Sequence, residues 1–145
     1  MMNVSIRVAD WSRDAPALKS VRHDVFVVEQ RVPAELEWDD ATDAGCCQVL
    51  AEDAQGCAIG CGRLLPDGHI GRMAVLAHWR GRGIGAALLV RLIELARERG
   101  DAKVMLNAQI HALPFYARFG FAAVGEPFDE AGIAHQAMER RLGST

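Results

Sequence analysis

The fold is decided by residues 69–100, HIGRMAVLAHWRGRGIGAALLVRLIELARERG. This stretch opens with a predicted β-strand, His69 to Leu76. It closes with a predicted helix, Gly85 to Arg99, whose apolar residues recur at helical spacing: Leu88, Leu92, Leu95 and Ala96. Gly100 then ends the helix. A strand, a turn and a long amphipathic helix in this order predict a sheet with helices packed on it.

The turn between strand and helix, Arg80-Gly81-Arg82-Gly83-Ile84-Gly85-Ala86, has the composition of an anion-binding site. Glycine lets the backbone turn tightly and bring its N–H groups close to a ligand. The start of a helix adds unpaired N–H groups and a partial positive charge. Arg80 and Arg82 would add full charges and forked hydrogen-bond donors. Together these features predict a diphosphate site, the alternative being a helix-entry turn with two solvated arginines.

Two common nucleotide motifs fit this turn less well. A P-loop requires a lysine followed by serine or threonine, and the turn contains no lysine. The dinucleotide pattern GxGxxA is satisfied on paper by Gly81, Gly83 and Ala86. However, the next predicted strand ends at Asn107, where that pattern requires an acidic residue to hold the ribose. The turn therefore favours a different diphosphate ligand.

The N-terminal part of the chain predicts a strand followed by a helix. Val4 to Val8 alternates apolar and polar residues, as a strand with one buried face does. Asp10 or Ser12 would cap the following helix. The apolar residues of that helix are spaced to face the core: Leu18, Val21, Val25 and Val28. Pro33 would end this helix or begin a second short one.

Further elements are predicted on both sides of residues 69–100. Cys46 to Glu52 and Cys57 to Leu65 form an antiparallel pair. Lys103 to Asn107 is a buried strand, and Ala112 to Phe119 is a short helix. Two closing strands flank a predicted loop: Phe121 to Val124, Ile133 to Arg141, and the loop Glu126 to Gly132. The whole chain, residues 1–145, is predicted to be one α/β (α+β) domain with a mixed sheet.

Composition excludes several broad classes of protein. Half of the 145 residues are hydrophobic and 24% are charged, which predicts one packed core rather than disorder. The net charge of −3, with acids and bases mixed, argues against a nucleic-acid or membrane-surface protein. No apolar run approaches the ~20 residues that span a bilayer. The first residues have no secretory pattern, so the cytoplasm is the expected location.

The four cysteines do not predict a metal site. Cys46 and Cys47 are adjacent, and no CxxC pair occurs among the four, which also include Cys57 and Cys61. Zinc sites usually combine closely spaced cysteine pairs with further cysteines or histidines. We therefore expect no metal, and free thiols buried in strands.

Two motifs resemble the GNAT superfamily of acetyltransferases. Arg80, Gly83 and Gly85 match its (Gln/Arg)-x-x-Gly-x-(Gly/Ala) signature. Further along, LPFYARFGF resembles its (Leu/Phe)-Tyr-x-x-x-Gly-Phe element, through Phe115, Tyr116, Gly120 and Phe121. The N-terminal stretch VFVVEQRVPAELEWDDATD is similar to the ElaA-like branch. The resemblance implies a mostly antiparallel sheet of about seven strands, about four flanking helices, and a splay between strands 4 and 5.

The resemblance also implies the co-substrate and the residues that hold it. Acetyl-coenzyme A (acetyl-CoA) would lay its pantetheine arm along Met73-Ala74-Val75 and its pyrophosphate on Gly81 to Ala86, with Phe115 also on the coenzyme side. Tyr116 would give a proton to the departing thiolate, although it could also be a core aromatic residue with its hydroxyl reaching water. A backbone N–H of the splayed strand, that of Val75, would stabilise charge on the carbonyl oxygen.

The acceptor side is less specific in the sequence. The residues expected there, by resemblance, are Glu29, Gln30, Asn107, Gln109 and His135. Four of them are open candidates for the base that the amine requires: Glu29, Asn107, Gln109 and His135. The favoured function is acetyl transfer to a small-molecule amine. The alternatives are a protein acetyltransferase and a non-catalytic acyl-CoA-binding module, and a homodimer is compatible with the resemblance.

Overall fold

The computed structural model describes residues 3–32 and 40–143, apart from the side chains of residues 40 and 41, so the predicted boundary at Pro33 lies outside it. Within these residues one sheet contains eight strands: β1 (Ser5–Ala9), β2 (Cys47–Glu52), β3 (Ala58–Leu64), β4 (His69–Val75), β5 (Lys103–Gln109), β6 (Ala122–Ala123), β7 (Phe128–Glu130) and β8 (Ile133–Arg141). The α-helices are α1 (Trp11–Arg22), α2 (Asp40–Ala44), α3 (Ile84–Arg99) and α4 (Leu113–Ala117). A π-helical turn, His23–Glu29, continues α1.

The sheet is mixed and mostly antiparallel, which confirms the predicted fold class. Its strand order is β1-β2-β3-β4-β5-β8-β6, and β7 pairs with another part of β8. The neighbouring strands β4 and β5 run parallel, whereas the other pairs are antiparallel. The prediction of a loop from Glu126 to Gly132 is wrong, because Phe128–Glu130 pairs with Ile133 to His135. This short acidic strand raises the number of strands from about seven to eight.

One face of the sheet is covered by α1 and the π-helical turn. Asp10 rather than Ser12 caps α1, since its carboxylate accepts a hydrogen bond from the Ser12 N–H at 3.1 Å. The predicted positions Leu18, Val21 and Val25 are buried, as expected. They pack against three strand residues: Leu50, Cys61 and Ala74. Each fully buried leucine or valine contributes roughly 1.5–3 kcal/mol to folding.

Val28 does not join this apolar face, which corrects the prediction. Its side chain is 62% exposed. The predicted stripe assumed 3.6 residues per turn throughout. After Arg22 the hydrogen bonding changes to the wider π-helical pattern, which is seen where the Gln30 N–H donates to the Val25 carbonyl. The wider turn rotates the later residues of the helix relative to the core.

The other face is covered by α3. Leu88, Leu89 and Leu92 are fully buried against the sheet. The helix comes this close because β3 has glycine where it crosses: a Cβ on Gly62 would lie 2.9 Å from both Leu92 Cδ1 and Met73 Sδ. Gly100 adopts the left-handed conformation (φ 89°) and ends α3, as predicted.

A bulge in β4 separates it from β5. Cys61 pairs with Ala74 and Arg63 with Gly71, so two residues of β4, Arg72 and Met73, stand opposite one residue of β3. Arg72 takes up the extra residue with φ 52°, an uncommon conformation for a non-glycine residue. Strands β4 and β5 pair only at His69–Met105 and Ile70–Leu106. Beyond these pairs the strands diverge, which is the splay that the resemblance implies.

The expectation that the cysteine thiols are buried in strands holds for only one of the four. Cys61 is buried in β3, whereas Cys57 is exposed, and Cys46 and Cys47 are partly exposed.

No helix in residues 3–32 and 40–143 is both long and apolar enough to cross a bilayer.

Asp14 joins α1 to the first two strands, and its loss is expected to destabilise the protein. Its carboxylate accepts hydrogen bonds from Arg7 at 2.9 and 3.0 Å and from the Asp10 N–H at 2.8 Å, and Arg7 also contacts Glu52. We expect Asp14→Asn to lower the free energy of unfolding by about 1–3 kcal/mol at pH 7, since the negative charge and one of the two acceptor oxygens are lost. Urea denaturation measures this, with the exposed Asp24→Asn as the control.

The effect of Asp14→Asn should depend on pH. The hydrogen bonds from Arg7 and the Asp10 N–H lower the pKa of Asp14 to about 2, from 3.8. A carboxylate whose pKa is lower in the folded state stabilises the fold in full at pH values above its unfolded-state pKa. That stabilisation is lost as the pH falls through the folded-state pKa. The stability difference between wild type and Asp14→Asn should therefore shrink from pH 4 to pH 2. A difference that is constant over this range would contradict the assigned contacts.

Candidate active site

The splay opens into a cavity of about 730 Å³. Its walls come from β4, β5, the π-helical turn, α4 and the β7–β8 hairpin. Most of the residues predicted on both the coenzyme and acceptor sides line it together: Met73, Ala74, Val75, Arg80, Glu29, Gln30, Asn107, Gln109, Tyr116 and His135. The remaining predicted residues, 81–86 and Phe115, lie outside this lining, around the start of α3. The structure thus places one cavity beside the glycine-rich turn.

The glycine-rich turn has the open backbone that an anion site requires. Gly81 and Gly83 are left-handed, with φ 77° and 80°, and a Cβ on either would meet no atom within 4 Å. Among the described residues, no hydrogen bond within the protein uses the N–H groups of Gly81, Arg82 or Gly83. These donors and the first turn of α3 are therefore available to a ligand. Arg82 lies over the Trp79 ring at 5.0 Å from its centroid.

Gly85 lies next to Phe115, an aromatic residue of the second motif. A Cβ on Gly85 would lie 3.8 Å from both the Phe115 ring and Val75. The start of α3, strand β4 and Phe115 therefore meet at this glycine. The Phe115 ring also meets the Tyr116 ring edge to face, with centroids 5.1 Å apart.

The Arg80 guanidinium is paired with a carboxylate of the protein, whereas the sequence predicted that it would bind a phosphate. Its guanidinium forms a bidentate pair with Glu29, with both N–O distances 2.6 Å, and its Nε donates to the Val75 carbonyl at 2.9 Å. A residue predicted on the coenzyme side is thus bonded to one predicted on the acceptor side. The hydrogen bonds from Arg80 lower the pKa of Glu29, so that Glu29 is a carboxylate but a weak base.

Tyr116 has the protonation state that a proton donor needs. It stands on α4, which begins with Leu113 and Pro114, and is partly buried between the rings of Phe115 and Phe121. Desolvation raises the pKa of Tyr116 to about 12. The phenol therefore stays protonated at neutral pH while its side chain lines the cavity.

Polar side chains from three parts of the chain line the end of the cavity that is predicted to bind the acceptor. Gln109 at the end of β5 donates to Gln30 at the end of the π-helical turn, at 2.9 Å. His135 on β8 is buried, stacks on Phe128, and shares a 2.6 Å hydrogen bond between its Nδ1 and the Ile133 carbonyl. This side continues into a second cavity of about 370 Å³, which Gln30, Gln109 and His135 also line.

A buried ionic cluster supports the cavity wall. Asp43 of α2 accepts hydrogen bonds from Arg22 at 3.0 Å, Arg63 at 2.7 Å and Gln48 at 3.1 Å. Although burial raises its pKa, the hydrogen bonds from Arg22 and Arg63 outweigh this and hold the pKa of Asp43 below its usual value. Arg63 also lines the large cavity, so the cluster fixes part of its surface.

Three further charged residues line the large cavity: Arg63, Arg72 and Glu130. The arginines stand within strand patterns that look ordinary, and Glu130 lies in the stretch predicted as a loop. Only the acidic run around Glu130 was a signal, and such runs are usually solvated. Within residues 3–32 and 40–143, no group of three histidine, cysteine or acidic side chains is arranged to hold a metal ion.

Known proteins are similar to this chain in both sequence and architecture. The Acetyltransferase (GNAT) domain family matches residues 14–142. The uncharacterized N-acetyltransferase YjcF of Bacillus subtilis is 36% identical over 122 residues, 81% of this chain and 86% of YjcF. Protein ElaA of Escherichia coli is 33% identical over 134 residues, 87% of this chain and 86% of ElaA.

Solved structures of similar proteins have the same fold. The crystal structure of Escherichia coli ElaA superposes with a TM-score of 0.84 at 29% identity, covering 95% of this chain and 99% of that one. An acyl-CoA N-acyltransferase from Pseudomonas aeruginosa superposes with a TM-score of 0.83 at 31% identity, covering 94% and 99%. With the splay, the glycine-rich turn and Tyr116 in place, these matches show that the chain belongs to the GNAT family of acetyltransferases, in its ElaA-like branch.

Proposed function

We propose that this GNAT acetyltransferase moves the acetyl group of acetyl-CoA directly onto the amine of a small molecule. The observation that supports this best is the cavity of about 730 Å³. It runs along the unpaired part of β4 and contains both Tyr116 and the polar acceptor-side residues. Donor and acceptor can therefore meet inside the splay, next to a protonated phenol.

The residues present fit an acyl-CoA donor. The unused N–H groups of Gly81, Arg82 and Gly83 and the start of α3 match a pyrophosphate. Beyond Ile70 the edge of β4 is not paired with β5, which leaves room for an extended pantetheine arm. The Val75 carbonyl already accepts a hydrogen bond from Arg80, but a carbonyl oxygen has two lone pairs and can accept another. Acyl-CoA use is also in the name of the Pseudomonas aeruginosa relative.

The reaction requires that the amine be deprotonated and that the departing thiolate be protonated. An alkylamine with a pKa near 10.4 costs about 4–5 kcal/mol to deprotonate at pH 7, so a base or a suitable environment is required. The departing thiolate needs a proton, which the Tyr116 hydroxyl supplies. Negative charge that develops on the carbonyl oxygen is stabilised by a backbone N–H of β4, which we assign to Val75.

A small acceptor is favoured by the β7–β8 hairpin. Glu130 and Ala131 of this hairpin wall the second cavity opposite Phe26 and Val32. Its volume of about 370 Å³ lies in the range of small-ligand pockets. A pocket of this size suits a compact amine better than an extended peptide.

Glu29→Gln should affect the acceptor more than the coenzyme. Removing the carboxylate leaves Arg80 unneutralised and makes the cavity more positive by one charge, which repels a protonated amine. We expect KM for the amine to rise about two- to ten-fold and Kd for acetyl-CoA to stay within about two-fold. Acceptor kinetics and coenzyme titration on the same variant measure this, with Glu94→Gln on the exposed side of α3 as the control. Loss of coenzyme binding in a folded Glu29→Gln protein would place Glu29 on the coenzyme side.

The proposed function is tested by screening amines and peptides with acetyl-CoA and following thiol release. We expect release that depends on a small primary amine, with the acetylated amine identified by mass spectrometry. Turnover of peptides alone would show a protein acetyltransferase. Binding of acetyl-CoA without release for any amine or peptide would show a non-catalytic module.

A further inference from the structure

Two side chains of the β7–β8 hairpin meet at the acceptor end of the cavity. Glu130 Oε2 lies 3.8 Å from His135 Nε2. Both residues line both cavities. Because side chains alternate along a strand, Phe128 and Glu130 share the face of β7 that contacts His135, and Asp129 points away. The pair therefore belongs to the site and not to the outer surface of the hairpin.

The backbone determines which nitrogen of His135 faces the reactants. The Ile133 carbonyl can only accept, so the Nδ1 that lies 2.6 Å from it carries the hydrogen. In the neutral imidazole the lone pair is then on Nε2, the nitrogen near Glu130. The stacked Phe128 ring and the burial of His135, which is 7% exposed, keep the ring in this orientation.

The other candidate bases are less suited to the task. Glu29 is held as a carboxylate by two hydrogen bonds from Arg80. Asn107 and Gln109 are amides, which do not take up a proton near neutral pH, and Gln109 already donates to Gln30. Of the four candidates, only His135 presents to the cavity a basic nitrogen that forms no hydrogen bond with another described residue, with Glu130 3.8 Å away.

We propose that His135 Nε2 takes the proton from the acceptor's ammonium group and that Glu130, a positioning residue, stabilises the imidazolium and passes the proton to water. This assignment rests on the proposed function. Glu130 suits the second step because its side chain is 52% exposed and reaches solvent. The substrate class that fits is a primary alkylamine, which is protonated at neutral pH and binds next to a carboxylate.

The protons and bonds balance in this scheme. Neutral amine nitrogen attacks the thioester carbon, the new C–N bond forms and the C–S bond breaks. Two protons leave the nitrogen in all. One reaches the thiolate through Tyr116, and the other reaches water through His135 and Glu130. The net reaction converts ammonium and acetyl-CoA into amide, coenzyme A thiol and one proton.

Other charged and titratable groups share the cavity with His135. Arg72 of β4 lines both cavities, and Arg80 is neutralised by Glu29. Tyr116 of α4 and His111 line the large cavity only. Glu130 is the acidic group within ion-pair distance of His135 in the part of the chain that the structure describes.

The test compares His135→Asn and Glu130→Gln with wild type on amines of graded basicity. Asparagine keeps a donor for the Ile133 carbonyl but has no basic atom. We expect His135→Asn to lower kcat/KM about 100-fold with a strongly basic alkylamine and much less with a weakly basic amine such as hydroxylamine, which needs no deprotonation at neutral pH. Kd for acetyl-CoA should stay within about two-fold in both variants. Asp129→Asn, next to Glu130 but on the opposite face of β7, is the matched control.

The dependence on amine basicity separates positioning by Glu130 from a structural role. Without the Glu130 carboxylate, the proton that His135 takes up has no acceptor beside it. In Glu130→Gln, kcat/KM should therefore fall about ten-fold with a strongly basic alkylamine and stay nearly unchanged with hydroxylamine, whereas Asp129→Asn should match wild type with both amines. An equal loss for all amines in His135→Asn or in Glu130→Gln would overturn the assignment while leaving the proposed function intact. Absence of amine-dependent thiol release in wild type would overturn both.

Discussion

Gly83→Val is expected to abolish detectable acetyl-CoA binding. Gly83 precedes α3 with φ 80°, and its N–H is one of the donors available to a pyrophosphate. In the free protein a side chain there meets no other atom within 4 Å, but it would project into the space that the phosphates require. We expect affinity to fall about 100-fold or more, equivalent to roughly 3 kcal/mol.

Gly100→Val provides the matched control, because Gly100 ends the same helix with φ 89° and also has open space around it. Valine in the left-handed conformation costs about 1–3 kcal/mol of stability at either end of α3. The two variants should therefore melt at similar temperatures, while only Gly83→Val loses the rise in melting temperature that acetyl-CoA causes. Normal binding by folded Gly83→Val would remove the turn from the coenzyme site.

Tyr116→Phe is expected to lower kcat about ten- to a thousand-fold while leaving Kd for acetyl-CoA nearly unchanged. Phenylalanine keeps the ring between Phe115 and Phe121 and removes only the hydroxyl. The effect should appear in kcat because the proton is transferred as the thiolate leaves. Unchanged kcat, with chemistry shown to be rate-limiting, would make Tyr116 a packing residue.

The raised pKa of Tyr116 can be observed directly, because Tyr116 is the single tyrosine of the chain. Ultraviolet titration of the phenolate should show a midpoint near 12 in the native protein, against a usual value of 10. In urea the midpoint should return to about 10. A native midpoint at 10 would mean that the hydroxyl is fully solvated and not desolvated by burial.

The order of strands and helices could be predicted because local patterns determine it. The apolar stripe of α3, the Asp10 cap and the ending of α3 at Gly100 depend on neighbours within a few residues. Val28 and β7 could not be predicted in this way. The change from α- to π-helical bonding after Arg22 leaves no trace in apolar spacing, and Phe128–Glu130 is too short and too acidic to show strand alternation.

The candidate site also contains parts that the sequence could predict and parts that it could not. The glycine-rich turn and Tyr116 lie in contiguous motifs that a single sequence displays. The pairing of Arg80 with Glu29 joins residues 51 positions apart, and the contact of Glu130 with His135 depends on the hairpin that was predicted as a loop. Long side chains such as that of Arg80 reach several partners, so their direction depends on the packed fold and not on the motif.

The central claim, direct transfer of acetyl to an amine, is tested most directly in a single turnover. Excess protein is mixed with acetyl-CoA labelled in its acetyl group and the best amine from the screen, then quenched at successive times. We predict that the label passes from coenzyme A to the amine with none bound covalently to the protein, and that Tyr116→Phe slows this same step. Label retained on the protein, or released only as acetate, would contradict the account.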